Sequence, residues 1–238
     1  DAASSAIYGS MGANGVILPP DGYMEGVRAL CDKYGIMMIC DEVMAGWGRT
    51  GKMFAFENFD VKPDLVTFAK GVTCGYVQLG GVAVSSKIAS YFDDHFLSCG
   101  LTYSGHPLAC AAGVACVNYY QKANILDNVN KVGKVLAEKL DAYKEAHACV
   151  GDVRHIGLFS CVELVKDKET KEPMVSYGCD PQGIMGKIIG MLKERKFMTY
   201  SHANMIFVCP PLPITEEQLL EALDQLDEVL GTVDKEYI

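Results

Sequence analysis

The chain has 238 residues, half of them hydrophobic and 21% charged, with a formal net charge of −9 and a pI near 5.0. This is globular rather than disordered composition, with room for one large domain or one and a half ordinary ones. An acidic surface repels phosphate backbones and argues against a nucleic-acid partner, and no apolar run reaches the roughly 18 residues of a membrane span.

In chain order, "SSAIYGS" reads as a short strand. "DGYMEGVRALCDKYG" has the start and stop of a helix: Asp21 is the expected N-cap, Gly35 the expected C′ residue, and Tyr23, Val27, Leu30 and Tyr34 recur at helical spacing. "IMMICDE" is a continuous apolar run ending in two acids, the pattern of a parallel strand buried on both faces. "DLVTFAK" and "LGGVAVS" are the next strands, and "HPLACAAGVACVNYYQK" is a helix of small residues suited to close packing. This β-α-β order predicts an α/β domain with a mostly parallel sheet.

After about Ala123 the texture changes. "ILDNVNKVGKVLAEKLDAYKEAH" is a long amphipathic helix with Leu126, Val129, Val132, Leu136 and Leu140 on one side. "VRHIGLFSCVELV" alternates like a strand pair, "QGIMGKIIGMLKERK" reads as a helix and "MIFVCPPLP" as a strand. "TEEQLLEALDQLDEVLGTV" is a terminal helix with Thr215 as N-cap and Gln218 as its capping-box partner. The expected division is an α/β part over residues 1–123 and a long connecting helix with a smaller α+β domain over residues 124–238.

Ten cysteines are scattered with no C-x-x-C pair, and the five histidines show no metal-binding spacing. The expectation is reduced thiols filling a core in a cytoplasmic protein, with no metal. The start, "DAASSAIYGS", lacks an initiator Met and does not resemble a signal peptide.

Strand ends of an open parallel sheet face the ligand crevice. Two of them carry titratable groups: Asp41 and Glu42 after "IMMIC", and Lys70 after "DLVTFA". A lysine in an apolar run is costly to bury unless paired or deprotonated. It is therefore either a cap paired with Asp41 or Asp64, or a nucleophilic amine suited to a Schiff base. "TYSGHP", Thr102–Pro107, sits before the small-residue helix and reads as an anion site or an ordinary N-cap turn, with His106 orienting it.

The stretch "CDEVMAGWGRTGKMFAFENFDVKPDLVTFAKG", with "TYSGHPLACAAG" downstream, resembles the class III, omega-amino acid type, pyridoxal phosphate-dependent aminotransferases. The likeness runs from "MGANGVILPPDGY" to "CPPLPITEEQL" and covers the second half of a family member, so the chain reads as one piece of a longer protein. It implies fold type I and pyridoxal 5′-phosphate as cofactor. Lys70 matches the lysine of the internal aldimine, which also shuttles the proton, and Asp41 matches the acid on the pyridine nitrogen. Val43 matches the side chain packed on the ring face. Met44 stands where a glutamine would face the ring hydroxyl. Thr102 matches the threonine that holds the cofactor phosphate across a homodimer interface, and Arg49 a structural arginine.

Subfamily positions point to the acceptor. Members that use 2-oxoglutarate usually have an arginine three residues before "PP" and often a glutamate after the glycine of the "MGANG"-like motif; here these are Phe207 and Ala13. That resembles the pyruvate-using omega-transaminases, including taurine–pyruvate aminotransferases. Their mobile carboxylate-binding arginine is replaced by Tyr200, with His202 nearby, and a hydroxyl cannot reproduce a bidentate fork. Tyr8 stands where the family often has a glutamate. The resemblance therefore implies ping-pong transfer of an amino group from taurine, an omega-amino acid or an amine to pyruvate. A 2-oxoglutarate-using aminotransferase, a mutase or racemase of the same family, and a non-catalytic dimer scaffold remain the alternatives.

Overall fold

The computed structural model describes residues 4–7 and 12–238. The chain forms two compact units, one of residues 1–10 and 18–126, the other of residues 11–17 and 127–238.

The first unit is built on a four-stranded sheet in the order β1 (Ser4–Ile7), β2 (Met37–Asp41), β3 (Leu65–Phe68), β4 (Gly81–Val84). The first three strands run parallel and β4 returns antiparallel on β3. Helix α1 (Tyr23–Tyr34) makes the crossover between β1 and β2. A short helix α2 (Ser86–Tyr91), not foreseen from the sequence, follows β4, and α3 (Pro107–Lys122) closes the unit.

The buried face of α1 differs from the one expected. Met24 and Cys31 are buried and Val27 packs beside them, whereas Tyr23, Leu30 and Tyr34 are exposed. The two stripes share Val27 and lie about one residue, or 100°, apart around the helix, so the sheet selects the smaller, unbranched side chains. The N-cap is Gly22 at φ 78, without a side-chain cap, rather than Asp21; Gly35 at φ 65 ends the helix as expected. Met38 and Cys40 of β2 are buried in the cluster with Met24, Cys31 and Val61. Met37, Ile39 and Asp41 on the other face are only half-buried, so β2 alternates instead of being buried on both sides.

One ion pair fixes this crossover. Arg28 of α1 donates to Asp64 at 2.8 Å, and the Met38 amide donates to the same carboxylate at 2.8 Å. Helix α1, the start of β2 and the start of β3 thus meet at one acceptor. Burial alone would raise the Asp64 carboxyl, but the Met38 amide and the Arg28 guanidinium outweigh it and hold it below the usual carboxylate range.

The second unit carries an antiparallel sheet in the order β5 (Val150–Ile156), β6 (Phe159–Asp167), β9 (Met205–Val208), β8 (Ser201–His202), with β7 (Glu172–Pro173) on the other part of β6. Gly157, at φ 59, begins the two-residue turn between β5 and β6. Helix α4 (Ile125–Ala146) buries Val129, Val132, Leu136 and Leu140 completely, as its periodicity predicts, while Leu126 is half-buried. A Cβ on Gly133 would lie 2.7 Å from the Gly157 carbonyl, so a glycine is what lets α4 approach that turn. Helix α5 (Ile184–Glu194) buries Met185, Ile188 and Leu192, and α6 (Glu216–Tyr237) buries Leu219, Leu223, Leu226, Leu230 and Val233. The capping box at Thr215 and Gln218 forms as expected. His147 bridges Asp234 at 2.7 Å and Asp227 at 2.9 Å, joining the end of α4 to α6.

The thiols depart from a core-filling role. Cys31, Cys40, Cys149 and Cys161 are buried, but Cys74, Cys99, Cys110, Cys179 and Cys209 are exposed, and all ten are free. Burial pushes the Cys40 thiol up to about 12, consistent with a small apolar packing group.

The Asp64 junction gives a pH-dependent expectation. Because its folded pKa is depressed, its contribution is fully present above the unfolded value of about 3.9 and is lost as pH falls through the lower folded value. Asp64→Asn is expected to destabilise by about 1–3 kcal/mol at neutral pH, and by clearly less near pH 3, in urea unfolding. Equal destabilisation at both pH values would show that the charge is not what holds the junction.

Candidate active site

Parallel pairing sets the first geometric fact of the site. Asp41 lies opposite Thr67 in the ladder, and the Glu42 amide donates to the Thr67 carbonyl at 2.8 Å. The C-terminal ends of β2 and β3 are therefore side by side. Asp41 ends one strand, and Lys70 stands two residues beyond the end of the other.

Asp41 and Glu42 are adjacent in sequence, but the structure separates their roles. Glu42 is fully buried and accepts the Ala55 and Phe56 amides, each at 2.9 Å. It anchors a single 3₁₀ turn, Ala55–Asn58, at the end of the loop that follows β2. Burial raises its carboxyl, and the two amides only partly offset that. Asp41 is half-buried and accepts the Val43 amide on Oδ1 at 3.0 Å, while no donor among the described residues reaches Oδ2. Among the described residues, then, Asp41 has one oxygen without a donor, whereas both oxygens of Glu42 accept backbone amides.

Lys70 is exposed, which corrects the expectation of a buried ammonium. It opens a 3₁₀ turn, Lys70–Thr73, at φ 47. Among the described residues no carboxylate lies within ion-pair distance of its amine, so it is not a cap paired with Asp41 or Asp64; Asp64 is taken by Arg28 at the opposite end of β3. A non-glycine residue in the left-handed region is strained, and such strain persists where the surroundings impose it.

Those surroundings are aromatic. Trp47, itself at φ 59, packs edge-on against Phe54 and Phe68 with ring centroids 5.5 Å apart, and it lies 6.2 Å from Tyr120. The Tyr120 hydroxyl donates to the Trp47 carbonyl at 2.9 Å. A Cβ on Gly71 would sit 2.5 Å from the Trp47 Cβ. Gly71 is thus required by the indole beneath the turn. Gly75 is the residue that turns sharply, at φ 78. Trp47 is not among the residues foreseen from the sequence, although a single tryptophan between two glycines, "GWG", is a local signal for a ring packed under tight turns.

The remaining candidates of this unit are more open. Val43 is half-buried and Met44 is 42% exposed. Thr102 is exposed and precedes α3. The helix itself is capped by His106, whose Nδ1 accepts the Leu108 amide at 3.3 Å, with Pro107 at the first position. Arg49 is half-buried in the loop after β2.

Tyr200 and His202 belong to the second unit and are described within it. Tyr200 is 60% exposed, and its ring lies 5.3 Å from that of Phe207, which is buried. The Phe207 amide donates to the Tyr200 carbonyl at 3.0 Å. His202 is half-buried and meets Tyr177 edge-on at 5.4 Å. Ala13 is exposed, and Tyr8 lies outside the described residues.

The donor set at the sheet edge suits pyridoxal phosphate. An amine without an ion-pair partner can react with an aldehyde, and a carboxylate with an open oxygen can accept from a protonated ring nitrogen. Thr67 Oγ1, paired in register with Asp41, is a buried hydroxyl with no partner among the described residues. It leaves polar capacity at the same strand ends.

The sequence profile described as aminotransferase class-III matches residues 6–230. A solved taurine:2-oxoglutarate aminotransferase from Bifidobacterium kashiwanohense, in complex with PLP and glutamate, is 58% identical with a TM-score of 0.95. The likeness covers 99% of this chain and 52% of that one. An (S)-enantioselective omega-transaminase from Thermomicrobium roseum is 37% identical with a TM-score of 0.87, covering 96% and 50% of the two chains. The taurine–pyruvate aminotransferase of Bilophila wadsworthia is 35% identical over 94% of this chain and 50% of its own length. The chain spans about half the length of the curated relatives it matches.

The packing under Lys70 is testable. Gly71→Ala is expected to destabilise by about 1–3 kcal/mol in chemical unfolding, because the Trp47 side chain cannot recede without moving its aromatic neighbours. Gly186→Ala in α5, with nothing within 4 Å of the added methyl, is the matched control and should be neutral or slightly stabilising. Equal effects at the two sites would refute the close approach at Gly71.

Proposed function

The chain belongs to the class-III aminotransferase family, and on that premise we propose that the protein transfers an amino group from taurine or a related omega-amino acid or amine to a 2-oxo acid, with pyridoxal 5′-phosphate as cofactor. The observation that carries the reading is the placement of Asp41 and of Lys70, which has no ion-pair partner among the described residues, on neighbouring C-terminal strand ends.

When bound, the cofactor supplies an aldehyde carbon for the amino group and a protonated pyridine ring that holds an electron pair. The residues of this chain do the rest. The Asp41 carboxylate keeps the ring nitrogen protonated, and its own orientation is set by the Val43 amide. The Lys70 amine would be the group that holds the cofactor between turnovers. Once released, it removes the proton from the substrate carbon that bears the amino group and returns one in the opposite half-reaction. Val43 and Met44 would line the ring. Thr102 binds the phosphate, in this reading that of a partner subunit. A homodimer with shared sites is supported by the large apolar side chains exposed around Thr102: Phe96 at 89%, Leu101 at 81% and Tyr103 at 80%. Tyr200 and His202 take the acidic group of the substrate. A reducing, cytoplasmic location goes with this reading, since ten cysteines scattered without a disulfide-scaffold spacing suit reduced thiols.

The acceptor divides into two readings. The 58% identical relative is described as a taurine:2-oxoglutarate enzyme, which favours 2-oxoglutarate. Phe207, buried and uncharged where an arginine would bind the second carboxylate, favours pyruvate, as does the taurine–pyruvate relative. We take 2-oxoglutarate as the leading acceptor on the strength of the higher identity.

In the intact protein, Lys70→Ala is expected to abolish both amino transfer and the borohydride-fixed pyridoxyl label on the chain. Unchanged labelling would overturn the role of Lys70. With taurine as donor and both acceptors present in equal amounts, glutamate should form faster than alanine. A preference for alanine would reverse the order of the two readings and restore the argument from Phe207.

A further inference from the structure

Two thiols meet directly behind the Lys70 turn. Cys74 is the residue that ends the Lys70–Thr73 turn, in the left-handed region at φ 50, and Cys116 lies on α3. Their sulfurs are 3.1 Å apart, and both face the Gly71 carbonyl, Cys116 at 3.5 Å and Cys74 at 3.8 Å. They are 42 residues apart in sequence. Neither C-x-x-C spacing nor any other local motif signals the pair. Nothing in the amino-transfer reading uses it.

We propose that Cys74 and Cys116 form a redox-closable dithiol that takes low-molecular-weight disulfides of the glutathione type as its oxidant. The sulfurs need to approach by only about 1 Å to reach a bond length of about 2.05 Å. Cys74 is exposed and Cys116 half-buried, so the small disulfide enters at Cys74. Burial, reinforced by the neighbouring Cys74 thiol, pushes Cys116 up to about 12, which makes it the resolving partner and not the first nucleophile.

The Cys74 thiolate attacks one sulfur of the small disulfide. That S–S bond breaks, one small thiolate leaves, and a mixed disulfide remains on Cys74. Cys116, losing its proton to solvent, then attacks the Cys74 sulfur and displaces the second small thiolate. Two protein thiols are oxidised to one disulfide, one small disulfide is reduced to two thiols, and the two protein protons pass to the departing thiolates. The new bond ties the turn that begins at Lys70 to α3. It reports cellular oxidation at a position four residues from the lysine, and its chemistry stands whether or not the amino-transfer reading holds.

The test is exposure of the intact protein to oxidised glutathione, followed by thiol counting and peptide mass analysis without reduction. The expected result is the loss of the Cys74 and Cys116 thiols with no glutathione retained on either, and a disulfide, located by fragmentation of the linked peptides, joining Cys74 in the tryptic peptide 71–87 to Cys116, rather than Cys99 or Cys110, in the peptide 88–122. Cys116→Ser should trap glutathione on Cys74, and Cys74→Ser should leave Cys116 unmodified. A mixed disulfide that persists on Cys74 in the unaltered protein, or linkage of Cys74 to Cys99 or Cys110 instead, would overturn the proposal.

Discussion

The parallel register between β2 and β3 is the constraint on which the candidate site depends. It sets Asp41 opposite Thr67, and so brings the ends of two strands to one edge of the sheet. Residues 29 positions apart in sequence then present a carboxylate and an amine in the same neighbourhood. A one-residue slip of β2 would turn Asp41 to the other face, because side chains alternate along a strand. The register is held from the far end of the strands, where Asp64 accepts from both Arg28 and the Met38 amide. An ion pair at one edge of the sheet thereby supports the geometry at the other.

The loop after β2 and the turn after β3 form one packed body. Buried Glu42 ties the loop to the 3₁₀ turn at Ala55–Asn58, and Trp47 from the same loop fills the space beneath Gly71. The Lys70 backbone is held in a strained conformation over a rigid aromatic base. A flexible loop would let Lys70 relax to an ordinary conformation, with the amine free to wander. Rigidity below and exposure above suit a group that must react repeatedly with changing partners. Cys74 and Cys116 lie at the back of this same body, where the turn meets α3.

The second unit shows what a chain can reveal of its own architecture. The apolar stripe read from α4 names the residues that the helix buries, apart from Leu126, which is half-buried. Thr215 and Gln218 cap α6 through contacts only three residues apart, so the signal was complete in the sequence. Helix α1 behaved differently. It has two overlapping stripes, and only the sheet beneath it chose Met24 and Cys31 over Tyr23 and Leu30.

The sequence by itself determined the order of the main strands and helices, without α2, β7 and β8, the family, and the placement of Asp41 and Lys70 at strand ends. Periodicity, caps and a contiguous motif are local, and local patterns survive in a linear string. The tertiary structure decided the rest. It exposed Lys70 and freed it of the carboxylates expected to pair with it, gave Asp64 to Arg28, and made Glu42 structural. It explained Gly71 by an indole 24 positions away and brought two scattered cysteines within 3.1 Å. Each of these depends on distances between residues far apart in the chain, and such distances exist only after the strands have paired and the helices have packed.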